Sequence, residues 1–180
     1  FTAFKITAAN NSSNKTVLRS VTISGLKNKR SATINYSNAA PVVDYSNSGS
    51  EGTFTFNKVV DGNGCELAPY NQASPVAPEP VSDGYYLMWP HTTADFKGDG
   101  TTPEAKITIV YDYIELDNNG KVVMTQTNVS KDVKLEAVGT WLAGSKYDLN
   151  LVFMDKEIAL LCFVQDWIPM EEEIDFTEQV

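Results

Sequence analysis

The apolar residues of this chain fall mostly in period-two runs. Tyr147, Leu149, Leu151 and Phe153 alternate with Asp148, Asn150 and Val152, and Ile158, Leu160, Cys162 and Val164 repeat the spacing after the polar break Met154-Asp-Lys-Glu157. Successive side chains of an extended strand point to opposite faces, so each set lies on one side of its strand. Two such runs joined by a few polar residues predict a β-hairpin, with both sets directed inward and facing each other across the pair. A one-residue slip would turn every member of a set to water, which makes the expected register firm.

The same reading gives further strands over 1–8, 17–24, 32–36, 52–60, 84–89, 106–116, 121–128 and 133–138. No segment of ten or more residues carries convincing helical spacing. Polar turn clusters separate the strands at 10–14, at 46–52 and at Asp117-Asn-Asn-Gly120. The last of these predicts a tight hairpin, because Asn-Gly supplies the positive φ that short turns need. The Pro-rich run 68–80 is expected to be an exposed connection or an edge crossover, since proline cannot donate to a sheet ladder. It reads as an inserted loop rather than a domain boundary, because neither flank alone has enough strands to close a sandwich. Many short strands with polar turns predict an all-β fold, an antiparallel sandwich.

Composition narrows the function more than the fold. A chain of 180 residues with 42% hydrophobic and 11% aromatic content is most simply one globular domain. Asp and Glu number 23 against 14 for Lys and Arg, a net charge of −9. That sign opposes phosphate backbones and anionic membrane surfaces, so no nucleic-acid partner is expected. No apolar run approaches the ~20 residues that cross a bilayer, and membrane insertion by this segment is not expected. The chain opens on Phe1 in an alternating pattern, without a basic-then-apolar signal segment, which reads as part of a longer protein. Cys65 and Cys162 leave two readings open, a disulfide or two unrelated thiols. The second is favoured, because Cys162 is in phase with the inward face of its strand and buried free cysteine behaves as a small hydrophobe.

Candidate chemistry is thin. His91, the sole histidine, would have to be the base of any Ser-His-Asp arrangement with Ser82 or Ser145 and Asp95, yet no Gly-x-Ser-x-Gly elbow exists. Asp95-Phe-Lys-Gly-Asp99-Gly100 resembles a calcium loop only superficially, because Lys97 and Lys106 occupy two ligand positions. Asp61-Gly-Asn63-Gly-Cys65 fails similarly, and no Cys/His cluster could hold zinc. Neither a metal nor another cofactor is expected. Glu171-Glu-Glu173 with Asp166 reads as a solvated acidic tail rather than a carboxylate pair for glycoside hydrolysis. Trp89, Trp141 and Trp167 could form a ligand-stacking platform, although large aromatics at strand ends more often plug cores.

Trp141-Leu-Ala-Gly144-Ser-Lys-Tyr147, the alternating hairpin and Asp166-Trp167 together resemble the closing motif of the fimbrillin-like family. These are type V pilus subunits and related surface lipoproteins of anaerobic bacteria. Residues 17–26 are similar to the strand that opens the family's C-terminal domain, and 106–113 to its long central strand. Gly84-Tyr-Tyr-Leu-Met-Trp-Pro90 stands where family members carry an apolar strand ending in Ile-Pro-Gln, a departure from the pattern. The resemblance implies a transthyretin-like Greek-key β-sandwich, with 1–180 the C-terminal domain of a two-domain protein and 1–8 its linking strand. It does not place the family's arginine-directed processing site at Arg19 or Arg30. The expected function is that of a non-enzymatic fimbrial or adhesive subunit, secreted as a lipoprotein to the outer membrane and cell surface. Such a subunit would assemble with itself or other pilus subunits by strand addition, and would meet a host or bacterial surface receptor. Ile174 and Phe176 lie on one side of an extended tail and are candidates for the assembly strand. The second expectation is a carbohydrate- or matrix-binding sandwich module of a surface protein.

Overall fold

The computed structural model describes residues 1–35, 42–58, 62–71, 73, 76–98, 103–155 and 157–166, with backbone alone at 28–35 and 42–51. Ten strands run in the order β1 (Thr2–Asn10), β2 (Lys15–Asn35), β3 (Val42–Asn57), β4 (Cys65–Leu67), β5 (Glu79–Pro80), β6 (Tyr86–Met88), β7 (Lys106–Leu116), β8 (Val122–Lys134), β9 (Ser145–Phe153) and β10 (Ile158–Asp166). A short helix α1 (Thr93–Lys97) and a 3₁₀ turn (Leu135–Val138) complete the described elements. One sheet has the order β10-β9-β1-β5, with β6 also on β1; the other has β3-β2-β7-β8, with β4 also on β2. Among the described strands all pairings are antiparallel except β1 with β9. The fold is an all-β sandwich.

The core lies between the sheets. Phe4, Ile6, Ala8, Leu149 and Leu151 enter it from one side, and Leu18, Val21, Ile23, Ile107 and Ile109 from the other. On β2 the inward positions change phase, from Leu18 to Val21 and from Ile23 to Leu26. The first change coincides with a register shift against β7 and the second with one against β3. Bulges make the switch, since an extra residue turns the following side chains to the other face. At the second bulge Gly25 has φ +76°, and a Cβ there would lie 2.8 Å from the Glu104 carbonyl oxygen. Only glycine fits that conformation at that distance.

The hairpin of β9 and β10 forms in the predicted register: Phe153 opposes Ile158, Leu151 opposes Leu160, Leu149 opposes Cys162 and Tyr147 opposes Val164. The inward set of β9 is buried throughout. The set on β10 is not: Ile158, Leu160 and Cys162 are half-buried, and Val164 is 57% exposed. The expectation of a wholly buried face is therefore corrected for β10. Among the described residues it is the rim strand of its sheet, paired with β9 alone.

The turn after β7 forms as predicted, with the Asp117 carboxylate accepting the N–H groups of Asn119 and Lys121 and Gly120 at φ +76°. The Pro-rich run leads from β4 in one sheet to β5 in the other, a crossover. Several boundaries differ from expectation, and the runs 17–24 and 32–36 are parts of one strand, β2. The polar cluster 46–52 lies within β3 rather than in a turn, because pairing with β2 across two bulges overrides its local preference. The runs 121–128 and 133–138 are one strand, β8, that passes into the 3₁₀ turn.

An ion pair secures the bulge in β8. The Asp112 carboxylate, on β7, accepts the Asn128 N–H at 2.9 Å, where Asn128 has φ +53°. Arg19 of β2 donates to the same carboxylate from Nε at 3.1 Å. Arg19 first, then the Asn128 amide, hold the Asp112 carboxyl below its ordinary range. A carboxyl depressed in the folded state stabilises it above the unfolded pKa, ~3.9, and that contribution fades as pH falls through the folded value. Asp112→Asn is therefore expected to lower stability at pH 7 and to flatten its loss between pH 5 and pH 2, read by urea denaturation at each pH.

Candidate functional site

The Trp-x-x-Gly-x-x-Tyr segment closes one end of the sandwich. Trp141 stacks on Tyr147 with ring centroids 5.3 Å apart and packs edge-on to Phe96 at 5.4 Å. Gly144 supplies the positive φ of the turn and donates its N–H to the Phe1 carbonyl at 2.9 Å. The Tyr147 hydroxyl accepts the Leu142 N–H at 2.7 Å and donates to the Thr140 carbonyl at 3.1 Å. One tyrosine thus ties both sides of the turn that its own strand leaves. Trp141 is 0% exposed, so both faces of its ring belong to the core and it is corrected from stacking candidate to core plug. Trp89 packs on Phe1 at 5.0 Å. Trp167 lies outside the described residues, as do Ile174, Phe176 and Glu171-Glu-Glu173.

The described residues among the catalytic and metal candidates make structural contacts. His91 is buried, bridges Trp141 through reciprocal backbone bonds, and places Nδ1 2.7 Å from the Trp89 carbonyl. The Ser82 hydroxyl accepts the Ile6 N–H and donates to the Gly84 carbonyl. Asp95 accepts the N–H and hydroxyl of Thr92 at the start of α1 and pairs with Lys27 at 3.4 Å. Asp61 and Asp99 lie outside the described residues. Cys65 and Cys162 are free thiols on strands of opposite sheets. Burial, then the nearby Asp148 charge, pushes the Cys162 thiol up to about 11, so it stays protonated and unreactive at neutral pH.

One exposed apolar stretch is the rim strand β10. Among the described residues β10 pairs with β9 alone, leaving its other side without a strand. Leu161 is 46% exposed, and Phe163 and Val164 are each 57% exposed. From Ile158 to Gln165 the strand has no charged residue. Natural sheets usually blunt such an edge with lysines, bulges or proline. One outer strand of the other sheet, β8, follows that rule over part of its length, with Lys131 and Asp132 and a bulge at Asn128, although Val122, Val123 and Met124 at its start are exposed. β10 does not.

Beside this rim the sheets part into a cleft. A cavity of about 320 Å³ is lined by Tyr111 and Tyr113 of β7, Gln126 and Lys131 of β8, and Phe153 and Glu157 at the β9–β10 turn. A second, of about 180 Å³, shares Tyr111, Lys131, Glu157 and Ile158 with the first. Its parts come from distant segments, and no sequence motif marks it. No described helix is long and apolar enough to cross a membrane.

No family model matches the sequence, and no curated protein matches it significantly. Among solved structures the chain is similar to a fimbrial protein from Bacteroides vulgatus, at 14% identity and TM-score 0.48, over 93% of this chain and 54% of that one. It is also similar to a "putative cell adhesion protein" from Bacteroides uniformis, at 14% identity and TM-score 0.38, over 93% of this chain and 50% of that one. The chain spans about half the length of either structure.

Proposed function

We propose that this chain is a non-enzymatic subunit of a cell-surface fimbria or adhesive structure, and that it joins its partners by strand addition along β10. The observation that carries the reading is that, among the described residues, β10 pairs on one side only and is uncharged and largely apolar from Ile158 to Gln165. An unpaired edge offers a row of N–H and C=O groups that an incoming strand satisfies, while pockets beside it receive alternate side chains. Such a surface is costly to leave bare and is normally covered by a partner. In this reading the chain is the C-terminal sandwich of a two-domain exported lipoprotein, with 1–8 the strand leading from the first domain. The partner is another copy or another pilus subunit. Ile174 and Phe176, two positions apart in the tail, would face the same way on a donor strand.

Leu161→Lys and Phe163→Lys place charges on the rim at exposed positions, where substitutions usually change stability by under about 0.5 kcal/mol. Each is expected to keep the protein monomeric in sedimentation velocity under conditions where the parent chain assembles. Assembly equal to the parent's in both variants would rule out β10 as the acceptor. Deleting 171–180 tests the donor separately: assembly that survives the deletion places the donor strand elsewhere.

A further inference from the structure

The cleft beside β10 presents different chemistry from the open edge. Its backbone is already paired, with Tyr111 opposite Val129 and Tyr113 opposite Gln126, so a peptide strand would find no free ladder there. Recognition must come from side chains. Tyr111 and Phe153 set their rings at 73° with centroids 5.1 Å apart, and with Ile158 they give the cleft apolar walls. Between these walls stand hydrogen-bonding groups of both kinds. The Tyr113 hydroxyl accepts from Asn14 Nδ2 at 2.9 Å, which leaves its own proton to donate. Burial holds both phenols above their ordinary pKa, so they remain donors at any physiological pH. Lys131 and Glu157 line both cavities, and neither forms an ion pair among the described residues.

We infer that this cleft binds a neutral saccharide, with a sugar unit in each of its two abutting cavities. The apolar walls suit the C–H faces of pyranose rings, and the phenols, amide, amine and carboxylate suit hydroxyls that both donate and accept. The larger cavity is at the lower end of the ~300–1,000 Å³ that small-molecule sites occupy. Charge argues for neutrality. Among the described lining residues Asp155 and Glu157 outnumber Lys131, in a chain of net charge −9, which disfavours uronic or sialic acids. The inference rests on the cleft alone and stands whether or not β10 accepts a strand.

The test is saturation-transfer NMR of the full chain with glucose, galactose, mannose, N-acetylglucosamine, maltose, cellobiose and glucuronic acid. A neutral sugar is expected to bind saturably, with a disaccharide tighter than its monosaccharide. Lys131→Ala and Glu157→Gln are expected to weaken that binding about tenfold each, the effect of losing a charge-assisted hydrogen bond, with near-UV circular dichroism unchanged. Phe163→Lys on the rim is expected to leave it intact. Three outcomes would overturn the inference: no sugar binds, glucuronic acid binds best, or binding is unchanged in the Lys131→Ala/Glu157→Gln double variant.

Discussion

Trp141→Ala is expected to cost about 3–5 kcal/mol, the range for emptying a large aromatic from a core. The ring lies within aromatic contact of Phe4, Phe96 and Tyr147. Its removal leaves a void that the flanking strands cannot close, because Trp141 is also held by backbone bonds to His91 on both its N–H and its carbonyl. A loss of that size consumes a large share of an ordinary domain's stability, ~5–15 kcal/mol. Chemical denaturation against the parent chain reads it directly. A cost under about 1 kcal/mol would mean the ring is not the plug described. Tyr147→Phe should cost less, about 1–3 kcal/mol, since it removes two hydrogen bonds but keeps the stacked ring.

Leu151→Ala is expected to cost about 2–5 kcal/mol. Leu151 is fully buried at the centre of its sheet, between Ala8 on β1 and Leu160 on β10. Val164→Ala in the same hairpin should stay within about 0.5 kcal/mol, because that side chain is mostly in water. The contrast separates two properties that share one sequence pattern. Period two fixes which residues share a face; only the opposing sheet decides whether the face is covered. Equal costs at the two sites would contradict the placement of β10 at the rim.

This distinction also explains what could be read from the sequence. The hairpins at 147–164 and 106–128 were legible because alternation and Asn-Gly turn chemistry are local signals. The parallel pairing of β1 with β9 was not, because it joins residues over a hundred positions apart. The strand through 46–52 was missed for the same reason, its Ser, Asn and Gly reading as turn until β2 pairs with them. Trp141 stood in a recognisable motif, yet its motif says that the ring packs, not that it meets a ligand. The cleft has no local signal in the sequence, since Tyr111, Lys131 and Glu157 are brought together only when the two sheets face each other.

The open β10 edge is the centre of the functional account, and amide hydrogen exchange of the free and assembled chain tests it most directly. Edge amides exchange readily in a monomer and slow by orders of magnitude once a strand pairs with them. The account predicts that assembly adds protection along Ile158–Asp166 and that β8 at the other sheet's rim changes little. New protection confined to β8, or none on β10 in an assembled sample, would contradict it.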